Sequence, residues 1–195
     1  MGNIATSYQK QIKILTKRGM DFDLGEEKAQ EVLSDIGYYR LGFYWNPFEI
    51  DNNHNFKAGT KFSDVLSLYY LDVDLRQIIN RYLKRIELNF KTKVTYYVSN
   101  KYKDSPTWFI DPEVLEQEYI ADFDNYYTAK FKNDNLALKK HHKKYLNDKY
   151  APAWKTIEFL SFGSVVKIYK SLKAEDIQDR ISSLYGIRNK FKLIN

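Results

Sequence analysis

Apolar residues recur at three- and four-residue steps along most of this chain, the mark of helices with one buried face. Residues 6–18 carry Tyr8, Ile12 and Leu15 on one face behind Thr6 or Ser7 as N-cap, and Gly19 stops the run. A second helix starts near Gly25-Glu26-Glu27, where two acids suit the positive N-terminal end of the dipole. It continues through Ala29, Val32, Leu33 and Ile36 and is expected to end near Gly37 or Gly42. Between Tyr44 and Lys61 the periodicity breaks on Pro47, the run Asp51-Asn52-Asn53-His54-Asn55 and Gly59. That chemistry predicts turns, with room for one short hairpin near 48–57 pairing Phe48–Ile50 with the neighbourhood of Phe56.

Ser63-Asp64 then caps the longest periodic segment, from about 64 to 102. Val65, Leu68, Leu75, Ile79, Tyr82, Ile86, Phe90, Val94 and Tyr97 follow helical spacing with no Gly or Pro between them. The segment far exceeds the mean helix of roughly 12 residues, so it reads as the spine of a bundle. Pro106 and Pro112 bracket a loop holding Trp108, and a helix is expected from Glu113 to about Lys132 with Leu115, Tyr119, Phe123 and Tyr126 on its stripe. Further helices are expected at about 135–149, at Ala153–Ser161 and Ser164–Leu172 with a hinge at Gly163, and at Ala174–Tyr185 with Gly186 as the residue past its end. The pattern predicts an all-α fold, a multi-helix bundle with one long spine helix, forming a single domain over residues 1–195.

Composition agrees with that picture and narrows the function. Only 8 Gly and 4 Pro are present, about half the usual share of roughly 12%. Few turn-formers suit long helices and disfavour sandwiches and barrels. The absence of cysteine excludes a disulfide scaffold, a thiolate zinc site and a cysteine nucleophile, and points to a reducing, cytoplasmic setting. No apolar run approaches the roughly 18 residues of a membrane span, and the N-terminal apolar cluster is broken by lysines, unlike a secretory signal. The net charge is +6, carried by 24 Lys and 7 Arg, so the bidentate phosphate and base recognition typical of Arg is sparse.

The charge is concentrated in two places. Lys139, Lys140, His141, His142, Lys143 and Lys144 form the most basic block, which on a helix would present ammonium groups to a phosphate backbone beside Tyr145 and Tyr150 as stacking surfaces. Against that stands a structural alternative: Asp111 to Tyr126 carries six acids and no base, so the two helices could simply face each other as complementary surfaces. The second concentration is on the long helix, where Arg76, Arg81, Lys84, Arg85, Lys91 and Lys93 meet a single acid, Glu87. Asp72 falls on the apolar stripe with Arg76 at i+4, either as a surface ion pair or as part of a buried network that docks another helix. Adjacent histidines point about 100° apart on a helix, and with only His54 besides them no metal site is expected, nor any cofactor. There is no Gly-rich phosphate loop, GxSxG or kinase signature.

Three clusters in order resemble the signatures of the bacterial abortive-infection (Abi) phage-resistance proteins of the AbiD/AbiF type. The first is Ile36-Gly37-Tyr38-Tyr39-Arg40-Leu41-Gly42-Phe43-Tyr44 with Pro47-Phe48. The second is Phe62-Ser63-Asp64-Val65 with Leu68-Tyr69, Asp72, Leu75-Arg76 and Ile86-Glu87. The third is Trp154, Glu158 and Ser161-Phe162-Gly163-Ser164. The resemblance runs from about residue 10 to the end and implies an all-helical protein related to the HEPN ribonucleases. Such proteins work as dimers that bring an Arg-x4–6-His motif from each subunit to one metal-independent RNA-cleaving site. There the histidine moves protons and the arginine stabilises the charge that develops as the ribose 2′-OH attacks the adjacent phosphate.

This sequence departs from that pattern. None of His54, His141 and His142 lies five to seven positions after an arginine, and the positions where a histidine should follow Arg188-Asn189 hold Leu193, Ile194 and Asn195. Tyr185-Gly186-Ile187 is similar to the segment just before the motif-bearing helix. On that reading the chain stops short of its catalytic helix, as a truncated form or as a member that has lost catalysis. Apolar faces such a helix should cover, on the long helix or on Ser164–Leu172, are then expected to be exposed or filled by a second copy. The resemblance implies a phage-defence protein that binds or acts on RNA, inactive as an endoribonuclease over residues 1–195, working in the cytoplasm without membrane contact and as a homodimer. The alternative is a non-catalytic interaction module, antitoxin-like or sensing a phage protein, that uses some of the 17 Tyr as contact surface.

Overall fold

The computed structural model describes residues 4–187 and contains, among them, ten α-helices and no strand beyond isolated bridges. The helices are α1 (Tyr8–Lys17), α2 (Glu26–Asp35), α3 (Tyr38–Trp45), α4 (Phe62–Lys101), α5 (Gln117–Tyr126), α6 (Ala129–Asp134), α7 (Leu136–Lys144), α8 (Ala153–Thr156), α9 (Phe162–Lys170) and α10 (Glu175–Leu184). The fold is an all-α bundle, and the long helix expected at 64–102 is α4. Contacts divide the chain into two compact units, one up to Tyr82 and one from Leu83, with α4 supplying a segment to each.

In the first unit, α1 begins at Ser7, whose hydroxyl accepts from the Lys10 N–H at 3.4 Å, and buries Ile12 and Leu15. The α2 helix ends at Asp35, near Gly37 as expected, and Gly37 at φ 92° turns the chain directly into α3, so the signature string from Tyr38 on is helical and Gly42 lies inside it. The α3 residues Leu41 and Trp45 close a core with Val32, Leu33, Phe62 and Val65. The hairpin is reduced to one antiparallel bridge, Glu49 to Phe56, carried by Ile50 N–H to Asn55 O at 2.8 Å and Lys57 N–H to Phe48 O at 2.9 Å. Asp51 takes over the backbone donors of its turn, accepting from Asn53 N–H and Asn55 N–H. The α4 helix starts at Phe62, earlier than its sequence cap, because the carboxylate of Asp23 does the capping. It accepts from the Ser63 N–H at 3.1 Å and the Ser63 hydroxyl at 2.6 Å. Those Ser63 bonds, the hydroxyl's foremost, hold the Asp23 carboxyl below its ordinary range.

In the second unit the C-terminal part of α4 contributes Phe90, Val94 and Val98 to a core centred on Trp108, Phe109, Phe123, Ile157, Ile168 and Tyr169. The single helix expected from Glu113 to Lys132 is broken twice. Asp111 caps a tight turn by accepting from the Glu113 N–H at 2.9 Å, and Leu115 forms an antiparallel bridge with Leu172. Thr128 then starts α6 afresh by accepting from the Phe131 N–H at 3.2 Å. The helix expected to reach Lys149 ends at Lys144, because the chain must turn back for Asp148 to meet His141. The hinge expected at Gly163 lies instead at Leu160–Ser161, where the Ser161 hydroxyl accepts from the Ser164 N–H at 3.1 Å and Gly163 sits within the first turn of α9. Gly186, at φ 70°, stands past α10 as the sequence predicts. A reciprocal pair joins α9 to α10: the Tyr169 hydroxyl donates to Gln178 O at 2.8 Å, and the Gln178 amide donates back to Tyr169 O at 2.7 Å. Burial pushes the Tyr169 phenol up to about 12.

The apolar stripe of α4 is buried only at its two ends. Val65 and Leu66 at one end, and Phe90, Val94 and Val98 at the other, join the cores, whereas Leu75, Ile79, Tyr82 and Ile86 on the same stripe are exposed together with Leu71, Ile78 and Leu83. Among the described residues, no helix is long and apolar enough to cross a membrane.

Candidate nucleic-acid interface

The α7 sequence LALKKHHKK is rich in good helix formers and places all its charge in the last two turns, where cations suit the negative end of the helix. Its inner face is Leu138, fully buried, and His141, only 5% exposed. Around the rest of the helix, Lys139 and Lys143 form one i,i+4 row and Lys140 and Lys144 another, all exposed. Among the described residues none of these four lysines has a carboxylate partner; Lys144 lies over the Tyr145 ring at 5.2 Å. The acidic stretch 111–126 does not neutralise them. Its ion pair among the described residues is with Lys149, beyond the block, which meets Asp124 at 2.7 Å, while Lys130 pairs with Asp134 on its own helix at 2.5 Å. The Asp124 carboxyl is held low by Lys149 and by the Tyr150 hydroxyl.

The two histidines turn inward. Lys155 reaches His141 Nδ1 at 3.4 Å and can only donate, so Nδ1 accepts and Nε2 carries the proton given to Asp148 at 3.0 Å. With both nitrogens engaged, His141 fastens α7 to the returning loop and to α8 and offers nothing to a ligand. His142 Nε2 lies 2.8 Å from the Tyr127 hydroxyl, which also accepts from the Ala151 N–H at 2.9 Å. With the Ala151 N–H on its oxygen, the phenol can give its proton to a neutral His142, the form that burial favours.

That arrangement carries a pH dependence. Burial, with Lys132 and His141 nearby, holds the His142 imidazole below its ordinary value of 6.5. The unfolded chain takes up this proton more readily than the folded one, so the stabilisation is complete above 6.5 and is lost as pH falls through the depressed folded value. The melting temperature is expected to drop between about pH 7.5 and about pH 5.5, and less so in His142→Gln, whose amide oxygen can still accept from Tyr127. Equal slopes in the two proteins would contradict the assignment.

The other candidate cations stand on α4. Arg81, Lys84 and Arg85 are exposed, and no hydrogen bond or ion pair among the described residues joins Lys84 or Arg85 to α7. Arg76 and Glu87 are occupied: Arg76 binds Asp72 at 2.8 Å and Glu87 binds Lys91 at 2.7 Å. Asp72 also accepts from the Tyr44 hydroxyl at 2.6 Å, so the pair extends to α3 and joins it to α4 within the first unit. Sequence reading missed Tyr44, Asp148, Lys155 and Tyr127 as partners, because each meets its target from a different element. Of the remaining signature residues, Tyr39 is exposed and packs on Phe43 at 5.3 Å, Arg40 is exposed, and Phe162 stands edge-on to Phe90 at 5.7 Å. Gly163 has open space where a Cβ would stand, with only the Ser161 hydroxyl at 3.9 Å. Trp154 and Glu158, four residues apart, are both exposed beside α4.

No curated protein and no solved structure gives a significant match to the chain. Residues 31–195 match the family model described as Abi-like protein, so the chain belongs to the Abi-like protein family, a membership that supports a role in phage resistance by abortive infection.

Proposed function

We propose that the chain is an abortive-infection protein of the AbiD/AbiF type, related to the HEPN ribonucleases, that binds RNA in the cytoplasm without cleaving it through residues 1–195. The observation that carries RNA binding is the row of four α7 lysines left without carboxylate partners, next to the exposed ring of Tyr145. A phosphate backbone supplies the missing counter-charge, and bases can stack on the tyrosine. Absence of cleavage rests on the sequence, in which no histidine follows an arginine at the HEPN spacing and His141 is committed to Asp148 and Lys155. The test is incubation of the purified chain with labelled RNA: retarded, intact RNA is expected, and cleaved RNA would overturn the reading.

One observation favours a second mode of action, protein interaction through self-association. The exposed apolar side chains of α4 between Tyr70 and Leu88 exceed what a solvated helix face carries. Asp72 and Asp74 lie near the start of this stretch and Arg81, Lys84 and Arg85 towards its end, so a second copy laid antiparallel would meet opposite charge near both ends. Light scattering is expected to give twice the 23.2 kDa chain mass, and a reversible fall to one chain in Ile79→Glu. A monomer at high concentration would contradict it.

A further inference from the structure

The second unit holds a groove of about 340 Å³ between the C-terminal part of α4 and the α8 segment, which no feature of the function above uses. Its rim carries two exposed aromatic side chains, Trp154 (55%) and Tyr96 (59%), and the carboxylate of Glu158. That carboxylate has no hydrogen bond or ion pair among the described residues. The groove is firmly built. Lys91, its side chain only 12% exposed, is neutralised by Glu87 at 2.7 Å and donates to the Glu158 main-chain carbonyl at 3.5 Å, which ties the acid's backbone to α4. Ser99 accepts from the Trp108 indole N–H at 2.9 Å and so keeps its own proton to donate.

We infer that this groove takes a guanine base of single-stranded RNA, an inference that rests on the RNA-binding reading. The volume lies at the lower end of ligand sites, about 300–1,000 Å³, which suits one unstacked base. Trp and Tyr rings give that base a stacking surface. The unpaired carboxylate selects which base. Two acceptor oxygens side by side match the adjacent N1–H and N2–H donors of guanine, whereas adenine and cytosine set a donor beside an acceptor and uracil flanks its one donor with acceptors.

The molecule supplies its own probe, because Trp45 and Trp108 are buried and only Trp154 of the three tryptophans is exposed. Titrating the full chain with GMP is expected to quench tryptophan fluorescence saturably, with AMP weaker. By anisotropy, a labelled uridine hexamer carrying one guanine is expected to bind at least about fivefold more tightly than its single-adenine counterpart, the lower end of what a bidentate base contact discriminates. Glu158→Gln should erase that preference; Trp154→Ala should weaken the guanine hexamer while Trp154→Phe retains it. Equal, salt-sensitive binding of both hexamers overturns the guanine site and leaves RNA binding standing. Guanine-selective binding of GMP with neither hexamer bound overturns RNA as the source, and with it the RNA reading itself.

Discussion

Replacing Lys139, Lys140, Lys143 and Lys144 together by glutamine is expected to lower affinity for single-stranded RNA by about 10²–10³-fold at roughly 0.1 M salt. Each ammonium that neutralises a phosphate on a single strand contributes about 0.7 to the slope of log affinity against log salt, so four contribute about 3. Measured from a 1 M reference, a slope of 3 amounts to nearly three decades at 0.1 M. The substitution leaves the fold alone: all four side chains are exposed, none holds a carboxylate, and glutamine is a good helix former. The diagnostic readout is therefore the slope. A variant that keeps the parent's salt slope would show that RNA, if bound, is bound elsewhere, whereas a slope shallower by about 3 with unchanged circular dichroism assigns the contact to α7.

Trp108→Ala is expected to cost about 3–5 kcal/mol of folding stability, and Trp154→Ala less than about 0.5. Trp108 is fully buried, packs against Phe109 with ring centres 6.2 Å apart, and satisfies Ser99 through its indole N–H. Truncation opens a cavity and removes that hydrogen bond in one step. Against a typical total of about 5–15 kcal/mol, such a loss moves the urea midpoint by one molar or more, given slopes of about 1–3 kcal/mol per molar. Trp154 has solvent on one side already and no ring partner among the described residues. Similar midpoints for the two variants would contradict the burial assigned to them.

These two tryptophans also mark the limit of what the sequence conveys. Each follows a proline by two residues, and nothing local says that Trp108 is core and Trp154 surface. Helix existence was legible because it depends on periodicity: α4 is found within two residues of its expected ends, and Ser7 and Gly186 delimit α1 and α10 as read. Breaks set by side chains from other elements were not legible. Thr128 restarting α6, Asp23 capping α4 and Asp148 pulling the chain back after Lys144 each depend on a partner that periodicity does not reveal. The middle of α4 was legible as a stripe only, since spacing shows which residues share a face and not whether anything covers it. At the candidate site the lysines were legible as charge, while the inward turn of His141 and His142 required Asp148, Lys155 and Tyr127 to be in place.

We propose that the unpaired cations of this Abi-like chain bind RNA and that residues 1–195 do not cut it. The measurement that tests both halves is titration of the purified chain with end-labelled single-stranded RNA across a salt series, resolved afterwards for length. Affinity is expected to fall linearly on logarithmic axes as salt rises, with every RNA molecule intact. No binding even at low ionic strength, or RNA shortened by the chain, would contradict it.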